Sequence, residues 1–373
     1  MTASREELER WMERAVELAR RGRGQVEPNP QVGCLVVRDG EVVAEGWHAR
    51  FGGPHAERVA LEQAGEQARG ATCIVTLEPC CHFGKTPPCT DALTAAGVAR
   101  VVIGCLDPSP AMSGNGVRAL EAAGIDVTTG VLEPVCRALI APFAKGVRCG
   151  RPWIHAKWAM TADGRLATER RDSQWISGDD ARAIVHALRG VCDGIVVGIE
   201  TALADDPQLT ARPPGPRTPV RIVLDRQARL PLDSQLVRSA HDVPLLVAAG
   251  RHAPQEAVDA LRRAGAEVWI GPPSASSSTW LADLLDELGR RGMQHVLVEG
   301  GARVLGAFFE LREIDEVHVF VAPKLVGGRT APLPVPLLGA GIEQMKHAVK
   351  IQEPTWRVVG DDVYLHGRIT WPE

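Results

Sequence analysis

With 373 residues, 45% of them apolar, and a formal net charge of −4, the chain is long enough for two hydrophobic cores and has the composition of an ordinary globular protein. Its charge balance gives no electrostatic reason for a nucleic-acid or membrane-surface partner, and no basic, aromatic-rich stripe supports one. No apolar run approaches the roughly 20 residues of a membrane span, and the charged, amphipathic opening MTASREELERWMERAVELARRG is unlike a signal peptide or an anchor, so a cytoplasmic enzyme or binding protein is expected.

Leu8, Met12, Ala15 and Leu18 recur at helical spacing within residues 4–22. QVGCLVV and EVVAEGWH flank Asp39-Gly40, a strong hairpin signal. A helix over 55–68, the buried strand TCIVTL, a helix from Cys89 to about Ala96, the strand RVVIGCLD, a helix near 116–123 and the strand DVTTGV follow. The basic, Gly-containing FAKGVRCGRP reads as a joint between a domain of residues 1–147 and one of residues 148–373. Beyond it comes a new strand series, WIHAKWAM, GIVVGI, VRIVLD, PLLVAA, EVWIG, HVLVEGG and VHVFVAP, with helical patterns at about 179–189, 255–264, 280–290 and 302–311. TWRVV and VYLHGRITW then form a hairpin turning at Gly360-Asp361-Asp362. This alternation predicts α/β architecture with largely parallel sheets, in two domains.

The chemistry of the first domain gathers in two short stretches. GGPHAE carries His55 and Glu57, and LEPCCHFGKTPPC carries Cys80, Cys81, His82, Lys85 and Cys89. The nine cysteines, an odd number with none after Cys192, argue for reduced thiols and metal ligation over a disulfide framework. His-x-Glu followed by Pro-Cys is the pattern of zinc-dependent deaminases of nucleobase-like rings. Catalytic zinc takes three protein ligands and leaves one position for a water whose pKa falls to about 7. A carboxylate off the metal must then move protons from that water to the ring and the departing amine. His55, Cys80 and Cys89 are the candidate ligands and Glu57 the candidate catalytic acid–base. Cys89 opens a predicted helix, whose N-terminal dipole favours a thiolate. Cys81 rivals Cys80 as a ligand, and Cys80 is preferred because it directly follows Pro79. A structural clip completed by His82 is the competing reading, and it gives Glu57 no purpose. His82 and Lys85 stand close enough in the chain to serve a phosphorylated substrate.

In the second domain no G-x-G-x-x-G stretch follows a strand, so a Rossmann-type site is not supported. Gly300-Gly301 before a helix permit close backbone approach to a cofactor phosphate, or simply make a tight turn. Lys157, ahead of TADG, is a further polar candidate without a role.

MERAVELARRGRGQVEPNPQVGCLVV, EGWHARFGGPHAE, LEPCCHFGKTPPC and LDPSPAMSGNGVRALEAAGIDV resemble the deaminase domain of the bifunctional riboflavin-biosynthesis deaminase–reductases. RPWIHAKWAMTADGRLAT, DSQWISGDDAR, ETALADDPQLTAR, VEGG and APKLVGG resemble their reductase domain, in the family's order, so that the resemblance spans about residues 11–370. It implies a cytidine-deaminase-like α/β/α domain followed by a dihydrofolate-reductase-like α/β domain. It further implies zinc-dependent deamination of a phosphorylated aminopyrimidine, then reduction of the product's ribosyl group by NADPH, in a homo-oligomer. Carried over to this chain, it assigns Asn29, His48, His82 and Lys85 to the deaminase substrate, and Ser173, Arg189, Leu209, Arg212 and Glu299 to the reductase substrate. Ala159, Trp175, Thr201, Asp205 and the run Gly300, Gly301, Ala302, Arg303, Val304 and Leu305 are assigned to the cofactor. The chain departs from the family pattern at Cys81, at Ile140 and at Arg226, the last at a position of cofactor contact.

Overall fold

A computed structural model describes residues 3–83, 87–170, 172–273, 276–328 and 335–372. The chain divides into two compact units, Met1–Gly150 and Arg151–Glu373.

The first unit runs α1 (Arg5–Arg20), β1 (Gly33–Arg38), β2 (Glu41–Trp47), α2 (Ala56–Ala64), β3 (Thr72–Leu77), α3 (Cys89–Ala96), β4 (Arg100–Cys105), α4 (Asn115–Ala122), β5 (Asp126–Thr129), α5 (Glu133–Leu139) and α6 (Ala141–Cys149). Its strand order is β2-β1-β3-β4-β5, antiparallel across β2, β1 and β3 and parallel from β3 to β5. A capping box starts α1: the Ser4 hydroxyl accepts from the Glu7 N–H and the Glu7 carboxylate accepts from the Ser4 N–H. The Leu8, Met12 and Leu18 stripe of α1 packs on Leu35, Val37, Ile74 and Val102. Ala56, Ala60, Leu93 and Leu120 of the next three helices cover Cys34, Val36, Cys73 and Val75 on the other sheet face. The result is an α/β/α sandwich.

The stretch expected as a joint is helical through Cys149. Periodicity did not reveal α6 because, among its described residues, none is buried, so no apolar stripe marks it.

The second unit runs β6 (Trp153–Thr161), α7 (Asp179–Arg189), β7 (Gly194–Gly198), α8 (Ile199–Asp205), β8 (Val220–Leu224), α9 (Gln235–Arg238), β9 (Leu245–Ala249), α10 (Gln255–Arg263), β10 (Glu267–Ile270), α11 (Ser277–Arg290), β11 (His295–Val298), α12 (Ala302–Glu310), β12 (Glu316–Ala322), β13 (Lys350–Val359) and β14 (Asp362–Thr370). The strand order is β10-β9-β8-β7-β11-β6-β12-β14-β13. The strands from β10 to β12 are parallel, and the β13–β14 hairpin closes the edge antiparallel. The chain winds outward from β7 to β10 and then returns to insert β11 between β7 and β6. In open α/β sheets, ligands bind at the C-terminal strand ends beside such a reversal. Here α8 and α12 begin at that place on Gly198 and Gly301, with no side-chain cap among the described residues. With seven and four residues, α8 and α9 are too short to show a period.

Helix α2 carries the first-unit chemistry and seats on β2 at Gly46, where a Cβ would run into the Ala56 carbonyl. Backbone cannot retreat as a side chain can, so Gly46→Ala is expected to cost about 1–3 kcal/mol and to lower the thermal unfolding midpoint of this unit. An unshifted midpoint would contradict the tight α2–β2 contact.

Candidate active site

The end of β3 delivers Glu78-Pro79-Cys80 to a point where two helices start. His55 is the N-cap residue of α2 and Cys89 the first residue of α3. His55 Nδ1 lies 3.5 Å from Cys80 Sγ and 3.3 Å from Cys89 Sγ, and the three ligand atoms fall within 4.8 Å of one another. Tetrahedral zinc, with sulfur at about 2.3 Å and nitrogen at about 2.0 Å, separates such ligands by about 3.6 Å. The donor set therefore fits zinc without rearrangement.

The first turn of α3 serves the sulfur directly. The Cys89 N–H donates to Cys80 Sγ at 3.4 Å, and the Thr90 N–H donates to the Cys80 carbonyl at 3.2 Å. Hydrogen bonding with Cys89 lowers the Cys80 thiol pKa, with help from His55, while the same contact raises that of Cys89. Cys80 is thus the first of the pair to carry thiolate. Cys81 stands outside the cluster, and burial raises its thiol. His82 is exposed and does not join either, so the structural clip finds no fourth ligand among the described residues. Lys85 lies outside the described residues.

Glu57, in the first turn of α2, is 3% exposed, and burial raises its carboxyl above the ordinary range. His48 is buried, and burial lowers its imidazole. Its Nδ1 faces the Pro54 carbonyl at 2.9 Å, which can only accept. Nδ1 therefore carries the proton, and Nε2 accepts from the Asn29 amide at 3.0 Å. The His48 ring stands edge-on to that of His55, with centroids 5.4 Å apart. Asn29, His48 and His55 thus form one connected row.

A residue that spacing did not single out braces the ligand loop. Glu78 Oε2 accepts the N–H groups of Asp107 and Gly114 at 3.0 Å each, and Oε1 accepts those of Gly116 at 2.8 Å and Val117 at 3.3 Å. Gly116 makes room, since a Cβ there would run into the Pro79 carbonyl. The carboxylate next to Pro79-Cys80 is thereby tied to the loop that starts α4.

In the second unit, Arg189 at the end of α7 meets Glu299 just beyond β11. Its Nε and Nη2 donate to Oε1 and Oε2 at 2.6 and 2.9 Å. Lys157 Nζ lies 3.8 Å from Oε2. Burial pulls the Lys157 ammonium pKa down, with Glu299 opposing. Burial alone would raise the Glu299 carboxyl, but Arg189, with Lys157 and His186, brings it below the ordinary value. The Thr210 carbonyl accepts from Arg189 Nη1 at 3.2 Å and His186 Nδ1 at 3.1 Å, and the Thr210 hydroxyl accepts from Arg212 Nη1 at 2.9 Å. His186 and Thr210 joined this cluster without any signal in sequence spacing. The fork of Arg189 is occupied by Glu299, whereas Arg212 is exposed and bonds Gln208 and the Thr210 hydroxyl. Leu209, at φ 53°, packs its side chain into the core, which confines any ligand contact to its backbone. Ser173 is half-buried on the stretch before α7.

Among the cofactor candidates, Thr201 Oγ1 accepts the Gly301 N–H at 3.2 Å. A Cβ at Gly198 or Gly300 would press on Val304 at 2.8 or 2.7 Å, so Thr201, Gly300, Gly301 and Val304 meet at the β7 and β11 strand ends. Glycine backbone and uncapped helix N–H groups form a cradle suited to phosphate. Arg303 is exposed on the first turn of α12, whereas Ala302 and Leu305 are buried and offer only backbone. Burial raises the Asp205 carboxyl at the end of α8. Ala159 lies in β6 opposite Phe320. Trp175 is 63% exposed beneath the Arg182 guanidinium, and Lys324 Nζ donates to the carbonyls of Trp175 and Ile176 at 2.7 and 2.9 Å. Arg226 reaches Ser277 Oγ at 2.8 Å.

An α/β/α sandwich whose converging helix starts present His-x-Glu and two cysteines defines a zinc deaminase of the cytidine-deaminase class, here followed by a second, separate α/β unit. Residues 5–105 match the family model of the cytidine and deoxycytidylate deaminase zinc-binding region, and residues 152–365 match that of the RibD C-terminal domain. The chain belongs to the RibD family, the bifunctional deaminase–reductases of riboflavin biosynthesis. It is 42% identical over 355 residues to riboflavin biosynthesis protein RibD of Actinobacillus pleuropneumoniae, covering 95% of this chain and 93% of that one. It is 39% identical to the Escherichia coli RibD, covering 96% and 98%. Among solved structures it is similar to Acinetobacter baumannii RibD, with TM-score 0.84 and 36% identity over 98% of this chain and all of the other. The Thermotoga maritima diaminohydroxyphosphoribosylaminopyrimidine deaminase/5-amino-6-(5-phosphoribosylamino)uracil reductase aligns with TM-score 0.82 and 37% identity over 98% and 99%. Among the described residues no helix is long and apolar enough to cross a membrane.

Glu78→Gln places amide N–H groups against backbone N–H donors and leaves buried donors unmatched. It is expected to cost about 1–3 kcal/mol, read as a lowered unfolding midpoint, and to speed zinc loss to a chelator. A wild-type midpoint and wild-type zinc retention would remove Glu78 from the support of the site.

Proposed function

We propose that residues 1–147 deaminate 2,5-diamino-6-(5-phosphoribosylamino)pyrimidin-4(3H)-one to 5-amino-6-(5-phosphoribosylamino)uracil, and that residues 148–373 then reduce the ribosyl group of that product to ribityl with NADPH. The observation that carries this reading is the His55–Cys80–Cys89 triangle with the buried carboxyl of Glu57 one helical step away. Zinc at that triangle supplies the activation of water for attack on the ring carbon bearing the amino group. Glu57 takes one proton from the attacking water and passes it to the ring nitrogen, where it stays, then takes the remaining proton of the added hydroxyl and passes it to the amine, which leaves as ammonia. A carboxyl raised by burial is matched to both halves of that transfer. His48 holds the Asn29 amide N–H, which leaves the Asn29 carbonyl for the pyrimidine, while His82 and Lys85 meet the phosphate.

In the second reaction NADPH supplies the hydride. Thr201, the 300–305 turn, Asp205, Ala159 and Trp175 hold it. Lys157 protonates the carbonyl oxygen as negative charge develops there, Glu299 and Arg189 position Lys157, and Arg212 with Ser173 and the Leu209 backbone takes the substrate phosphate. The protein acts in the cytoplasm as a homo-oligomer, without a nucleic-acid partner.

Mass spectrometry of the diaminopyrimidinone substrate with zinc-loaded protein tests the reading. Exchange of one amino group for oxygen is expected without NADPH, and a further gain of two hydrogens with it. Glu57→Ala should slow the first step by about 10²–10⁴-fold while retaining zinc. Absence of deamination by the zinc-replete wild type would overturn the proposal.

The pH profile offers a separate check. A proton donor acts while protonated, so the reduction rate should fall as pH rises through the Lys157 pKa, which burial places below the ordinary value of about 10.4. In Lys157→Arg, which stays protonated throughout, that alkaline limb should vanish from a slower reaction. A limb unchanged by the substitution would assign the proton to another group.

A further inference from the structure

Strands β11, β6, β12 and β14 lie side by side and place a row of polar side chains on one sheet face. His155 is in register with Glu316, Lys157 with His318, and His318 with His366, while His295 pairs with Trp153. His155 and His318 are 1% exposed and His295 5%. Imidazoles and a carboxylate in such a place need partners that repay their desolvation.

Their geometry is that of a ligand set. His155 Nδ1 lies 3.3 Å from His318 Nε2 and 3.5 Å from Glu316 Oε2, and His318 Nε2 lies 3.7 Å from Glu316 Oε1. One ligand atom from each residue falls within 4.8 Å of the others. A tetrahedral ion with nitrogen and oxygen ligands at about 2.0–2.1 Å separates them by about 3.3–3.4 Å; the two imidazole nitrogens already stand at that separation, and each faces its own oxygen of Glu316.

The surroundings match as well. The second nitrogen of each imidazole is engaged, His155 Nε2 with His295 Nδ1 at 3.1 Å and His318 Nδ1 with the Tyr364 hydroxyl at 2.8 Å. Such outer contacts fix the tautomer and ring orientation of metal-bound histidine. Glu316 is braced by Trp153 Nε1 at 3.0 Å and by His366 Nε2.

We propose that His155, Glu316 and His318 form a second metal site, for a divalent transition ion such as zinc, separate from the cysteine-containing site of the first unit. Two imidazoles and a carboxylate suit an ion of intermediate softness. The ion would staple β6 to β12 one register step from Lys157. The metal-free alternative is a relay of neutral imidazoles running from Tyr364 through His318 and His155 to His295.

The test strips the full-length protein with a chelator, reloads it with zinc or cobalt(II), and removes loosely held ions by gel filtration. A second ion per chain is expected. With cobalt, one ion should show sulfur-to-metal charge-transfer absorption and the other only ligand-field bands. Cys80→Ser/Cys89→Ser should keep the sulfur-free ion, and His155→Gln/His318→Gln should lose it and keep the other. A single ion in the wild type, none in the cysteine variant, or a second ion persisting in the histidine variant would each overturn the proposal in favour of the relay. Should the histidine variant fail to fold, the cobalt spectrum of the cysteine variant still decides.

Discussion

Two helix starts converge on one strand end, and the chemistry of the first unit depends on that convergence. His55, Cys80 and Cys89 are spread over 34 positions of sequence, and each is useless as a ligand without the others. The N-termini of α2 and α3 bring them together and also supply the electrostatics, because N–H groups at a helix start favour an anionic sulfur. The same crowding buries Glu57. In the proposed mechanism this carboxyl both takes and gives a proton, and it gains from a site that disfavours its charge, so one packing arrangement gathers the candidate ligands and tunes the candidate base beside them. Close approach is set by backbone: Gly46 lets α2 lie on β2, and Gly116 lets α4 lie against Pro79.

The second unit solves a different problem at its own strand ends. Lys157 is drawn out of water, which by itself favours the neutral amine, and Glu299 opposes that tendency. Glu299 in turn stays ionised because Arg189 holds it with two hydrogen bonds. Arg189 offsets the charge of Glu299, and a protonated Lys157 adds positive charge beside the exposed Arg212, a field suited to an anionic substrate. Removing one member of such a cluster leaves a buried charge without its partner, a larger penalty than the interaction itself is worth. The cluster therefore acts as a unit, and in the proposed reaction the phosphate grip falls to the exposed Arg212 rather than to Arg189.

How much of this could be read from the residues follows from sequence distance. Strands and long helices were legible because their periods are local: the predicted helix from Cys89 to Ala96 coincides with α3. The meeting of His55, Cys80 and Cys89 was legible because the chemistry of His-x-Glu and Pro-Cys fixes residue types within short stretches. Helix α6 was hidden because it buries no stripe among its described residues. For Leu209, assigned by resemblance, packing was an equal alternative on residue type, and only the structure shows its side chain in the core. Glu78 escaped notice because its partners are backbone N–H groups about thirty residues on, which carry no residue-type signal at all.

The histidines of the second unit lie between these cases. Each strand does carry a local sign, polar residues at alternate positions: Trp153, His155 and Lys157 in β6, Glu316 and His318 in β12, Tyr364 and His366 in β14. Alternation alone reads as a solvated sheet face, and only the register shows that the face is buried and that the polar atoms point at one another. The second unit holds a single cysteine, Cys192, buried in the core with Ile195 and Val197, so an ion at His155, Glu316 and His318 would be held by nitrogen and oxygen. The proposed triangle is buried and braced by neighbouring rings, so an ion there would join β6 to β12, and β6 is the strand that carries Lys157.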